Sequence, residues 1–477
     1  MIAITIGRAA QFLLALVMLR LATTLLSPEE MGKVSLTLTS AAFFAMFLIN
    51  PVGMFINRRL HAWQNNGRAR PYLVRYTGYL LLVALTAAIS IPLIALYGHV
   101  NFGMATGWVV TLVCCSLLFN TINQTSIPAI NLLGEHRWFV ILTVATLACS
   151  LLFALILVEL FQPQAQYWLL GVMLGQMLLG IAGTGVLFAM LRQGGASVAT
   201  SPVTVQRQHL TELFKFAWPV VIAAGLAWVQ GQSYRYILEN GLGLAQVGLF
   251  VAGYGVSAGI IAGAESVLTA YFQPRLYRDA NTSDVLRQGL AWRRYAAAVI
   301  PSLMLTVSLL ISLAPELTRV LLGAKFQSAS DYLIWGALAE GARVLAGAYS
   351  LIAHVFMRTK WLIVPNMVGA ALSVMLCFAL LPMLGAHGAG LALACSGLAT
   401  VILMHLALAR RVQARSPVRS ILLTLSAALG LWGLAWLSRV TLHAVIWVEV
   451  LGTLSLTGLA FLTTQYLLLR RHLGDVQ

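Results

Sequence analysis

The residues of this sequence that could do chemistry are charged side chains set inside or close to apolar runs. Arg20 and Arg235 stand within or late in such runs, Glu265 lies in the run after Arg235, and Glu340 and Arg343 share one face of another at spacing i, i+3. A charge near the middle of a bilayer costs roughly 2.5–3.5 kcal/mol on insertion scales, so those that persist usually face a cavity or a partner. Arginines there would attract an anion, and Glu265 or Glu340 would take up a proton or a small cation. The plainer alternatives are that Glu340 and Arg343 pair within their own helix and that Arg235 snorkels to the outer interface. Arg8, near the inner end, fits snorkelling.

A second set is uncharged. Asn120, Asn123, Gln124 and Asn131 fall on one helical face. Amides both donate and accept hydrogen bonds, which suits sugar hydroxyls, although the same groups also serve as glue between membrane helices. Gln230, Gln232, Ser233, Tyr234 and Tyr236 surround Arg235. Amides beside aromatic faces could hold a glycan, but Tyr is also common at membrane interfaces.

The elements that must position these residues are read from hydropathy. The chain has 477 residues, 60% hydrophobic and 9% charged, against about 25% charged in a soluble domain. Spans of roughly 20 apolar residues are predicted near 3–26, 34–56, 73–97, 105–132, 138–160, 167–190, 216–238, 246–273, 292–314, 329–356, 361–383, 388–409, 420–438 and 444–469. The first run lacks a basic start and a cleavage site, so it is expected to stay as a span. The fold class is all-α and polytopic, with about 14 transmembrane helices. Two six-helix lobes, 1–190 and 215–411, are joined by a Gly/Ser/Thr-rich linker at 191–214 and followed by an extra helix pair and tail at 412–477.

The net charge of +16 does not form a nucleic-acid-binding patch. Of 30 Lys and Arg, 22 fall in one set of alternate loops and in the tail, while the opposite loops hold Lys33, Arg319, Lys325 and Arg439. The positive-inside rule makes the first side, with both termini, cytoplasmic. The five cysteines lie in apolar segments without a CxxC pair, which predicts neither a disulfide framework nor a metal site. No Walker A, HExxH, GxSxG or dinucleotide fingerprint occurs.

The chain also repeats. An offset of 216 carries Gly32 onto Gly248, Arg59 onto Arg275, and Arg20 onto Tyr236, next to Arg235. At an offset of 223, Trp138 meets Trp361 and Arg137 meets Lys360. Two lobes of six spans in the same orientation imply an axis along the membrane normal. Gly255, Gly259 and Gly263 recur every four residues, a spacing that favours close helix packing over a hinge. Pro51, Pro92, Pro128, Pro301 and Pro365 are sites for kinks. His354 and His405 read as structural.

These features carry a family resemblance: an arginine in span one followed by LLSPEEMG, the NRR ending span two, and AWPVVIAAGLAWVQGQSYRYIL with its following GxG and VGLF. Over essentially its whole length the chain resembles the oligosaccharide/polysaccharide flippases (Wzx type) of the multidrug/oligosaccharidyl-lipid/polysaccharide exporter superfamily. The motifs are loose and identify the superfamily better than the substrate. The resemblance implies a transporter and not an enzyme. It would sit in the bacterial inner membrane and carry an undecaprenyl-diphosphate-linked oligosaccharide (an O-antigen, capsule or exopolysaccharide unit) between leaflets by alternating access. Arg20 and Arg235 would then line a cationic cavity, and Arg59 and Arg275 its cytoplasmic mouth. Asn120, Asn123, Gln124 and Arg343 complete the candidate substrate-binding residues, and Glu265 and Glu340 are the candidate coupling sites for H+ or Na+. No cofactor is implied. Membrane lipids, polysaccharide polymerase and chain-length proteins are candidate partners, and nucleic acid is not. The competing readings are an ion-coupled drug exporter, disfavoured by the arginines, a membrane polymerase or ligase, which would need a larger outer loop, and the peptidoglycan-precursor flippase.

Overall fold

A computed structural model describes residues 2–65, 69–98, 100–193, 207–281, 284–356, 358–409, 418–441 and 446–473. Most of the expected linker, 194–206, and part of the basic segment before span thirteen, 410–417, lie outside the described residues.

The described residues form helices and no strand. In chain order the α-helices are α1 (Ile2–Leu25), α2 (Pro28–Phe44), α3 (Asn50–Asn65), α4 (Ala69–Tyr97), α5 (Thr106–Cys115), α6 (Thr121–Leu132), α7 (His136–Leu160), α8 (Ala165–Gln193), α9 (Arg207–Gln232), α10 (Tyr234–Leu242), α11 (Leu244–Asp279), α12 (Val285–Ser312), α13 (Ala314–Leu321), α14 (Ser330–Val355), α15 (Ile363–Leu384), α16 (Ala386–Met404), α17 (Val418–Thr441) and α18 (Ile446–Leu473). Twelve helical stretches of the described residues are long and apolar enough to cross a membrane. The other two expected spans are α1, whose apolar part is Ala9–Leu25, and α14, which carries Asp331, Glu340 and Arg343. The sequence reading did not anticipate α13, an amphipathic helix of 8 residues.

Several spans are broken internally. Five-residue π segments interrupt span two at Ala45–Ile49 and span four at Ser116–Asn120. Pro51, just after the first, has no backbone N–H to donate, and the wider π turn lies immediately before it. Span seven breaks between α9 and α10. There the Ser233 hydroxyl bonds back to the Val229 carbonyl, a contact that tends to bend helices.

The chain divides into two compact units inside α11, residues 1–248 and 249–477. In the first unit α8 packs on α6 and α7, α1 on α7, α4 on α5, and α9 and α10 on α2. Its beginning is tied by the SPEEMGK stretch. Ser27 caps α2 by accepting from the Glu30 backbone N–H at 3.3 Å. Glu30 takes Lys33 on one carboxylate oxygen at 2.6 Å, and its other oxygen accepts the Ala165 N–H, at the start of α8, at 2.6 Å. A Cβ on Gly32 would run into the Leu244 carbonyl oxygen, and one on Gly248 into that of Pro28. The repeat offset relates Gly32 to Gly248 and Pro28 to Leu244, so this backbone crossing is reciprocal.

In the second unit α14 packs on α12 and α16, α15 on α16, and the final pair, α17 and α18, both on α12. Arg439 of α17 grips the carboxylate of Glu316 on α13, with Nε at 2.7 Å from one oxygen and Nη2 at 2.8 Å from the other. Glu316 is 2% exposed. The close packing expected of Gly255 and Gly259 is not found, because a Cβ at either would meet nothing within 4 Å. The tight approaches are at Gly253, against Ala329 and Leu333, and at Gly336, against Tyr254.

Candidate functional site

Most of the charged groups expected from the sequence fall into three places, each within one unit. The first is a cavity of about 280 Å³ among α3, α4 and the start of α9. Trp63 and Tyr72 stack across it, ring centroids 4.3 Å apart and planes 18° from parallel. Tyr76, Tyr79 and Phe55 extend the aromatic wall, and Arg59 and Arg75 bring two guanidiniums to it. Arg59 pairs with Glu212 at 2.9 Å, both side chains about half exposed. No ion pair is seen for Arg75 among the described residues. Of this set the sequence reading named only Arg59. The aromatic residues on α3 and α4 were not singled out. The 3–4-residue spacing of Tyr72, Tyr76 and Tyr79 was the signal that could have placed them on one face.

Rings with flanking cations have two capabilities. An aromatic face covers the apolar face of a sugar, and a guanidinium binds phosphate oxygens in a planar fork. Arg275, the repeat partner of Arg59, does not share this cavity. It lies over the Tyr271 ring, 4.1 Å from its centroid, and donates to the Tyr271 hydroxyl at 2.6 Å.

The second place is where α10 faces α2. Arg235 donates through Nη1 to the Thr39 hydroxyl at 2.7 Å, and its Nε lies 3.2 Å from the Tyr234 hydroxyl. Tyr236 and Ser40 share a hydrogen bond at 2.8 Å. Arg235 is thus half-buried in a polar seam between two helices. Arg20, on α1, is likewise half-buried. In span four the amide stripe divides. Asn123 donates to Thr146 of α7 at 3.1 Å, joining two helices. Gln124 donates to Asn120 at 3.4 Å, along one exposed face.

The third place is in the second unit, where α11 faces α14. Arg343 donates Nε to Glu340 at 2.6 Å and Nη2 to Glu265 at 3.0 Å. The Tyr254 hydroxyl donates to the other oxygen of Glu340 at 2.6 Å. The structure brings together three residues that the sequence presented separately. With both acids ionised, one cation between two carboxylates leaves a charge of −1, so Arg343 is held by acids rather than open to an anion. The sequence pairing of Glu340 with Arg343 is present. The added arm to Glu265 carried no periodic signal.

The order of helices in this chain is one found among solved membrane proteins. Among solved structures, a lipid II flippase, MurJ, in an inward closed conformation superposes with TM-score 0.71 at 12% identity, covering 98% of each chain. An inward-facing multidrug resistance MATE family transporter superposes with TM-score 0.62 at 15% identity, covering 85% of this chain and 95% of its own. An outward-facing MATE family transporter gives 0.54 at 13% identity, with 87% and 94% covered. At these identities the likeness is one of fold. No protein-family model matches the chain, and no curated sequence does.

Proposed function

We propose that this chain is a flippase for a lipid-linked oligosaccharide, carried on a polyprenyl diphosphate such as undecaprenyl diphosphate. Both termini would be cytoplasmic and the membrane a bacterial inner membrane. The observation that supports this reading best is the cavity of stacked Trp63 and Tyr72 with Arg59 and Arg75 at its edge. A sugar-diphosphate head group offers an apolar sugar face to the rings and phosphate oxygens to the guanidiniums. The head group would cross by alternating access while the lipid tail stays in the bilayer. Without a nucleotide-binding motif in the sequence, direction would come from an H+ or Na+ gradient or from consumption of the product, for example by a polysaccharide polymerase with its chain-length protein. A second reading, an ion-coupled multidrug exporter, is favoured by one observation, the two carboxylates held around Arg343.

The two readings separate in a clean deletion in a strain expressing no second flippase. Flipping predicts loss of one surface glycan, with its lipid-linked unit accumulating on the inner leaflet. Normal surface glycan together with drug hypersensitivity would establish the exporter reading instead.

A further inference from the structure

Glu239 belongs to none of the groups above. It lies on α10, one helical turn after Arg235, and is 7% exposed. Among the described residues, one of its carboxylate oxygens is buried with no hydrogen-bond partner. The Asn101 backbone amide lies near its carboxyl, and no ion pair reaches it among the described residues. An unpaired carboxylate out of water is strongly disfavoured, and such a group neutralises by holding a proton. The helices packed on α10 are α2 and α9.

The charged groups around Glu239 are otherwise engaged. On α2, Lys33 is paired with Glu29 and Glu30 at 3.2 and 2.6 Å. On α10 itself, Arg235 donates to Thr39 and lies against the Tyr234 ring. The charged and titratable residues of α9, Arg207, His209, Glu212 and Lys215, are all at its opposite end. His99, two residues before Asn101, lies outside the described residues. On α2, one turn before Thr39, Ser35 has a buried hydroxyl oxygen without a partner among the described residues.

The geometry points to Glu239 as a proton-binding site whose neutral form permits α10 to close against α2. Parting of the two helices admits water. The carboxylic O–H bond then breaks, the proton passes to water, and the carboxylate left behind has Arg235 one turn away, at i, i+4 spacing. Closing the seam requires the proton to return. The charge distribution along the chain assigns this end of α10 to the outer side, so external pH would set the closed population. What the proton does rests on the transporter reading. Where it binds does not.

The test is infrared spectroscopy of the purified, membrane-reconstituted protein. Expected at neutral pH is a protonated carboxylic C=O band that is absent in Glu239→Gln, shifted in Glu239→Asp, and unchanged when sodium replaces potassium at fixed pH. Spectra of wild type and Glu239→Gln that are identical in this region would overturn the proposal. Loss of the band on adding sodium would assign the site to a metal cation and overturn it equally. Transport by Glu239→Gln should lose its dependence on external pH, and a wild-type pH profile in that variant would sink the gating role. The spectroscopic arm contains no glycan, so an error in the substrate assignment leaves it intact.

Discussion

Arg75 and Arg59 edge the same cavity but differ in what holds them. Arg59 is shared with Glu212 in an exposed pair, and such pairs contribute only about 0.2–1 kcal/mol. Arg75 has no ion pair among the described residues, so its hydrogen bonds to a charged ligand would contribute about 1.5–3 kcal/mol. Arg75→Ala should therefore cut the transport rate at limiting substrate by about tenfold or more, and Trp63→Ala by up to about tenfold, the upper limit of one aromatic contact. Glu212→Ala, which releases Arg59, should not reduce the rate. Flux of a fluorescent lipid-linked glycan in proteoliposomes measures all three. At this scale the sequence displayed charges but not their partners. Glu265, Glu340 and Arg343 were each visible as charges out of place in apolar runs, yet the arm from Arg343 to Glu265 spans two helices that no spacing rule links. Glu239 escaped notice because a carboxylate three residues from a helix end resembles ordinary interfacial polarity, and only burial distinguishes it.

Helices α2 and α11 cross with backbone on backbone at Gly32 and Gly248. A methyl group at Gly32 meets a carbonyl oxygen, which cannot rotate away, so the helices must part. Overpacking of this kind costs about 1–3 kcal/mol. Gly32→Ala should accordingly lower the thermal midpoint in detergent. Gly430→Ala is the contrast, since its Cβ meets nothing within 4 Å and alanine is favoured over glycine in a helix by about 1 kcal/mol. Most span boundaries were legible to within about four residues, but α2, α9 and α12 start, and α3 and α11 end, about six to nine residues beyond the expected limits, because these helices run on past the apolar stretch that hydropathy marks. The repeat offset also found both crossing glycines. It did not show that they touch, because internal similarity shows equivalence and not contact. The same limit explains Gly255 and Gly259, whose spacing fits close packing while open space lies beside them. The π turn at Ser116–Asn120 adds residues to one helical turn and shifts the face on which Asn120 and Asn123 stand, a change that a fixed 3.6-residue period does not anticipate.

For the whole molecule, the final helix pair is part of the second unit and not a loose appendage. Helices α17 and α18 lie on α12, and Arg439 neutralises a Glu316 that has almost no solvent. Ending the chain before α17 would leave that carboxylate buried without its partner, and breaking such a pair costs about 3–5 kcal/mol. A truncation after Ala409 should lower the thermal midpoint and the yield in membranes, and Glu316→Leu in the truncated chain should recover part of both. Full recovery by Glu316→Leu alone would mean that the packing on α12 contributes nothing. The sequence separated this pair from the twelve-helix core by counting spans, and it assigned Arg439 to an outer loop. Counting does not show which helix a late span lies against, nor that α13 folds in the preceding loop to supply the acid.

The carboxylate of Glu30 holds Lys33 with one oxygen and the Ala165 amide with the other. Its two partners are therefore synthesised far apart in time. Lys33 leaves the ribosome almost together with Glu30, whereas the amide of Ala165 appears only after four further spans have been made. The start of α2 can be fastened to α8 only then, so this tie of the first unit is made late in its own synthesis.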